Sequence, residues 1–102
     1  MRLIKTITTG VAAVAMMSAA PVFAASKTLD EVKERGILQC VVNPGLTGFA
    51  APDDKGVWQG FDIDLCRAIA VAIFNDPKKT AFKPGTGKTR FTILRSGEGD
   101  VI

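Results

Sequence analysis

The chain of 102 residues contains no histidine. A Ser-His-Asp arrangement and a histidine metal site are therefore excluded within it. Cysteine is scarce as well: Cys40 and Cys66 stand alone, and two isolated thiols do not assemble a metal centre. No metal or other cofactor is expected. Internal repeats and low-complexity linkers are also missing. So is a strong charge of one sign. The formal net charge is +3, but removing residues 1–24 takes away Arg2 and Lys5 and no acid, leaving 11 basic against 10 acidic residues. Lys78, Lys79 and Lys83 cluster as a solvated loop and edge strand would place them. No aromatic or groove-reading motif accompanies them, so nucleic acid is not an expected partner.

What is present begins with an export signal. Arg2 and Lys5 form a positive n-region, and residues 7–20 are uncharged and mostly Ala, Val, Met and Ile. That core is too short for a comfortable membrane span. Pro21 breaks it, and Val22-Phe23-Ala24 puts small residues at the two positions a signal peptidase reads. Cleavage is expected after Ala24, with cleavage after Ala25 as the alternative. An uncleaved anchor is the other reading, against which the short core and the Val-x-Ala site both argue. No cysteine follows the core closely, so lipoprotein processing is not expected. The expected division is a cleavable signal peptide over 1–24 and an exported remainder over 25–102.

The exported part alternates strand and helix signals. Thr28-Leu29-Asp30-Glu31 reads as a capping box, with Leu29 and Val32 facing inward and Gly36 as the helix stop. Ile37 to Val42 is almost wholly apolar, as a strand covered on both faces would be. Asn43-Pro44-Gly45 breaks it, and a loop runs to about Gly56. A short strand over Val57–Phe61, a helix over Asp64–Phe74 and a turn at Asn75-Asp76-Pro77 follow. A strand over Thr80–Lys83 and a helix over Thr89–Arg95, stopped at Gly97, come next. Asp100-Val101-Ile102 reads as the first residues of another buried strand. The pattern is α/β with a mostly parallel sheet and flanking helices. A terminus on the second apolar residue of an incipient strand predicts a truncated chain; a genuine mini-protein is the alternative.

Pro84-Gly85-Thr86-Gly87-Lys88-Thr89 spells PGTGKT between an expected strand and an expected helix, which invites a phosphate-loop reading. That motif needs glycine four residues before the Gly-Lys pair, where the backbone wraps the phosphates. Phe82 stands there instead. No second acidic strand is available for magnesium, and an export signal sends the chain where ATP is scarce. The loop is read as a connection.

GVWQGFDIDLCRAIA, from Gly56 to Ala70, is the most informative stretch. Gly60 marks a tight approach, and Phe61 and Ile63 alternate with Asp62 and Asp64. Cys66, Ile69, Ala70, Ile73 and Phe74 then recur at helical spacing. Asp62 is expected to cap the helix and Asp64 to sit near the positive end of its dipole. Trp58 and Phe61 are expected in the core. Asp62 and Asp64 could be taken for a catalytic carboxylate pair, but helix capping accounts for both.

The longer segment CVVNPGLTGFAAPDDKGVWQGFDIDLCRAIA resembles the periplasmic solute-binding proteins of ABC transporters that take polar amino acids, and within them the general L-amino-acid branch. The resemblance runs from about Leu29 to Ile102. It implies a two-lobed clamp (the type II periplasmic-binding-protein fold), of which 25–102 would be the N-terminal part of lobe one. It also implies capture of an L-amino acid in the periplasm and delivery to an inner-membrane permease, without covalent chemistry and as a monomer. Carried over by position, Asn43 falls where the family often has a polar group that meets the ligand. Leu46 falls where many relatives place an aromatic ring, and Phe49 is the nearest aromatic available. Plain packing under the loop is the other reading of Leu46 and Phe49. The PGTGKT loop would lie at the lip of the cleft.

Two departures bear on function. The family places an apolar residue at Gly99, where glycine is expected to weaken the helix exit and the core. The Ser/Thr run and the Arg that would grip the ligand carboxylate lie beyond Ile102 in the resemblance, so this chain alone is expected to bind an amino acid poorly. The rival class is a dehydratase of the same clamp fold acting on a cyclic amino-acid precursor; a non-functional remnant is a third reading. In an oxidising compartment Cys40 and Cys66 can pair, closing a loop of roughly 25 residues and contributing about 3 kcal/mol. A buried free pair remains the alternative.

Overall fold

A computed structural model of the chain describes residues 26–102. The expected signal peptide, with its expected cleavage positions Ala24 and Ala25, lies outside the described residues. Helix α1 (Lys27–Arg35) is capped by Ser26, whose hydroxyl accepts a hydrogen bond from the Leu29 amide at 3.4 Å. The capping residue is thus Ser26 and not Thr28. Starting the helix there leaves Leu29 37% exposed, while Val32 is buried as expected. Gly36 ends the helix in the left-handed conformation (φ 75°), its N–H donating to the Val32 carbonyl.

Strand β1 (Leu38–Val42) is the apolar centre of the molecule, with Leu38, Cys40, Val41 and Val42 all buried. Its register is parallel to strand β4 (Thr80–Pro84), from Leu38 opposite Thr80 to Val42 opposite Pro84. On its other edge Cys40 bridges in parallel to Val101, and the Val41 amide donates to the Val101 carbonyl at 2.8 Å. Parallel neighbours on both edges and helices in the connections explain why β1 reads as a continuous apolar run. The Asp100 carboxylate fastens this junction. It accepts from the Gln39 amide at 2.8 Å and forms an ion pair with Arg35, which also donates to the Ile37 carbonyl.

Gly99 precedes that bridge. A Cβ built on it would run into the Val41 side chain and press on Ile93. The backbone must come this close for residues 100 and 101 to reach β1, so here glycine permits the packing it was expected to weaken.

Between β1 and helix α2 (Phe61–Phe74) the chain forms a small antiparallel hairpin, β2 (Ala51–Pro52) with β3 (Trp58–Gln59). The hairpin was not legible in sequence, where this stretch read as loop and one short strand. Helix α2 begins at Phe61, three residues before the expected start. Gly60 is its N-cap, at φ 125°. The carbonyl of Phe49 occupies the space a Cβ on Gly60 would need. The free amides of Phe61 and Asp62 donate to the carbonyls of Gly48 and Phe49 at 2.9 and 3.0 Å. Loop backbone therefore satisfies the first-turn donors that a capping side chain would otherwise take, and Asp62 is a first-turn residue and not the cap. Phe61, placed on the helix, is 64% exposed and not core.

Helix α2 buries Ile63, Cys66 and Ala70 against β1, and Ile69, Ile73 and Phe74 pack half-buried beside them. Asn75 closes it in the left-handed conformation. Cys40 and Cys66 are joined in a disulfide across this contact, with Cα atoms 6.4 Å apart. Trp58 is half-buried against Phe82, with ring centroids 6.1 Å apart. Arg67 adds a tie by donating to the Trp58 carbonyl at 3.0 Å while its guanidinium lies 5.9 Å from the Phe82 ring. Helix α3 (Arg90–Ser96) follows β4 and ends at Gly97 in the left-handed conformation.

Candidate functional site

The carboxyl ends of β1 and β4 open into a cavity of about 200 Å3. Val41, Val42, Asn43 and Leu46 line it from the β1 side, and Gly85, Thr86, Gly87 and Arg90 from the β4–α3 side; Asp62 and Ile102 complete it. A second cavity of about 290 Å3 adjoins it, walled by Val41, Leu65, Ile69, Val101 and the disulfide, and again by Asp62 and Arg90. A crevice at the carboxyl end of parallel strands is the usual ligand position in open α/β sheets, because the connecting loops converge there.

Each sequence-predicted residue has a definite place. Asn43 follows β1 directly, and its side-chain oxygen accepts from the Gly45 amide at 3.3 Å, which fixes the turn. Leu46 is 47% exposed toward the cavity and pairs with Ala50 in an isolated antiparallel bridge. Those two residues share the cavity; Phe49 does not reach it. The Phe49 ring packs edge-on against Phe61, with centroids 6.4 Å apart and planes at 78°.

The β4–α3 loop reaches the cavity, but the amides of Gly85, Thr86, Lys88, Thr89 and Arg90 are already engaged. Thr86 donates its amide to Thr89 Oγ1 at 2.9 Å, and the amides of Lys88 and Thr89 donate to Thr86 Oγ1 at 3.3 Å. The Arg90 amide donates to the Thr86 carbonyl. A phosphate cradle needs such N–H groups aimed outward at the anion. Two threonine hydroxyls turn them inward, which is a physical reason for the motif's failure independent of Phe82.

Sequence reasoning did not place Asp62 and Arg90 at the cavities. They are the charged residues lining both cavities. Among the described residues neither side chain forms an ion pair, and the Asp62 carboxylate accepts no hydrogen bond. The Arg90 guanidinium lies 4.8 Å from the neighbouring Phe91 ring. Their positions on the opening turns of α2 and α3, both facing the end of β1, were the available signal. It was obscured because Asp62 reads as a cap and Arg90 as an ordinary helix residue.

No protein-family model matches the chain. Curated relatives do match it. It is 60% identical over 79 residues to the glutamate/glutamine/aspartate/asparagine-binding protein BztA of Rhodobacter capsulatus. It is 56% identical over 79 residues to the general L-amino acid-binding periplasmic protein AapJ of Rhizobium johnstonii. Each alignment takes in 78% of this chain and 23% of the relative, so the chain spans about a quarter of the length of the curated relatives it matches. Among solved structures, a periplasmic binding protein of an ABC transporter from Brucella ovis, with glutathione bound, superimposes with a TM-score of 0.69 at 59% identity. That superposition covers 72% of this chain and 23% of the other. An ancestral cyclohexadienyl dehydratase shares the fold at 33% identity and a TM-score of 0.63, over 74% of this chain and 30% of that one. By sequence and by fold, the chain is similar to part of the periplasmic amino-acid-binding proteins of ABC transporters, and its described residues match part of one lobe of their fold.

Proposed function

We propose that this chain serves L-amino-acid uptake, as the N-terminal part of lobe one of the substrate-binding component of an ABC importer. Residues 1–24 direct export and are removed, and 25–102 act in the periplasm. Capture is non-covalent. An apolar wall of Val41, Val42 and Leu46 takes the ligand's carbon skeleton, and Asn43 supplies a polar contact at the end of β1. Leu46, being aliphatic, leaves a less stacked and more permissive pocket than an aromatic ring would, which suits a binder of several L-amino acids. Phe49 contributes indirectly, by bracing the loop against Phe61. Closure of a second lobe over the cleft would bury the ligand and present the closed, monomeric protein to the permease.

The observation that carries this reading is the cavity at the carboxyl ends of β1 and β4, with Asn43 and Leu46 on its wall. Catalysis has less to rest on. A dehydratase needs an acid and a base poised at the departing hydroxyl, and the cavity offers one carboxylate, Asp62, with no second titratable acid beside it among its lining residues. The test begins with the reading frame downstream of codon 102, followed by calorimetry on the periplasmic protein at the length the cell makes it. Continuation into a carboxylate-gripping Arg and a second α/β lobe, with saturable heats for several of the twenty L-amino acids, supports the proposal. Unrelated downstream sequence and no heat from any of the twenty would overturn it and leave a remnant.

A further inference from the structure

The Cys40–Cys66 disulfide stands where the parts of the crevice meet. Cys40 lies at the middle of β1, two residues before Val42, and bridges sideways to Val101. Cys66 lies on α2, one turn after Asp62. Both cysteines wall the second cavity with Leu65, Ile69 and Val101. The start of the same helix is tied to the loop that follows Leu46, through the Phe61 and Asp62 amides on the carbonyls of Gly48 and Phe49. One covalent bond thus fixes α2 to β1 and, through the helix start, steadies the Leu46 wall.

The packing around this bond is modest. Helix α2 buries Ile63, Cys66 and Ala70, with Ile69, Ile73 and Phe74 half-buried beside them, and α3 buries no residue. The Arg67–Asp64 ion pair lies within the helix, and the Arg67 bond to the Trp58 carbonyl reaches the hairpin and not the central strand. In such a core, a bond across 26 residues' separation shifts the folded-to-unfolded ratio by about a hundred-fold or more.

The chain is synthesised with two thiols, and the bond forms only when an oxidant accepts their electrons. One cysteine thiolate attacks a disulfide of the oxidant to give a mixed disulfide, and the second cysteine displaces it. The chain loses two electrons and two protons, and the oxidant leaves as a dithiol. A disulfide carrier of the kind an oxidising compartment maintains supplies this exchange. Both sulfurs are 3% exposed once the core has closed, so the exchange takes place on the open chain and the finished bond is shielded from reductant. From this placement, and resting on the export and amino-acid capture proposed above, we infer that the disulfide is a redox latch on the crevice. The reduced chain stays open in transit, and oxidation after export closes it, which confines amino-acid capture to the oxidising side of the membrane.

The test uses three samples of the periplasmic protein at the length the cell makes it. The first is carried through urea and back with its disulfide intact. The second is reduced with dithiothreitol in urea and returned to buffer with the reductant present, so that both thiols remain to fill the core. The third is reduced in the same way and then re-oxidised with oxidised glutathione. Brief proteolysis reads the open fraction, and calorimetry with the twenty L-amino acids reads the crevice. The reduced sample should be cut about a hundred-fold faster than the first and give no saturable heat, and re-oxidation should restore both properties. A reduced sample that resists proteolysis or binds as well as the first overturns the inference and leaves the functional reading standing. So does a re-oxidised sample that stays open while the first recovers. If no sample binds any of the twenty but proteolysis separates them as expected, the functional reading falls and the latch on folding stands.

Discussion

Gly60 holds φ 125° at the entry to α2, with the Phe49 carbonyl where a side chain would begin. Substituting alanine should therefore strain the turn and push the Gly48–Phe49 loop off the amides of Phe61 and Asp62, at a cost of about 1–3 kcal/mol. A urea melt of Gly60→Ala against the unmodified protein checks this, and an unchanged midpoint would contradict it. Gly99 makes the complementary case. The resemblance favours an apolar residue there, yet a Cβ would meet Val41. Gly99→Val should lower stability by about 1–3 kcal/mol through overpacking, where the sequence reading expects a gain; the same melt decides between them. At this scale the sequence revealed which positions mattered but not always their roles. Gly60 announced a close approach, and Asn43 and Leu46, expected near a ligand, line the cavity at the end of β1. Asp62 was mistaken for a cap because carboxylates at helix starts usually cap. Only the loop backbone, already supplying carbonyls to those amides, shows that the cap was not needed.

At the scale of elements, the disulfide between Cys40 and Cys66 fastens α2 to the central strand across the main core contact. Both cysteines are 3% exposed, so reduction should be slow in the native state and faster in mild denaturant. The double variant Cys40→Ala/Cys66→Ala should lose about 3 kcal/mol in a chemical melt, from the entropy of a loop of 26 residues' separation. A melt that does not respond to reductant under denaturing conditions would contradict the bond. Long, periodic elements were legible: the apolar run of β1, the inward face of α2, and the stops at Gly36 and Gly97 all rest on local chemistry. The β2–β3 hairpin was not legible, because two-residue strands such as Ala51–Pro52 have no periodicity to read. The starts of α1 and α2 were displaced by two or three residues, since Ser26 and Gly60 compete with more conspicuous capping candidates nearby.

At the scale of the whole molecule, α/β architecture and a parallel sheet followed from the alternation of elements. The order, with β1 between β4 and Val101, did not, because lateral neighbours are set by crossover connections and not by local pattern. Export makes its own prediction. Intact-mass analysis of the periplasmic protein should give a chain beginning at Ala25, and retention of Met1 in the membrane fraction would contradict a cleaved signal. Of the residues lining the cavity at the ends of β1 and β4, the sequence singled out Asn43 and Leu46 on the β1 side; Asp62 and Arg90 it did not place there, since they lie 28 positions apart in sequence and come to one cavity only through the fold. The most direct test of amino-acid capture at the ends of β1 and β4 is an NMR titration of the isotope-labelled periplasmic protein with the tightest-binding L-amino acid. Saturable amide shifts concentrated at Val42, Asn43, Leu46, Thr86 and Gly87 are the predicted result. Shifts centred elsewhere, with those five amides unmoved, would contradict it.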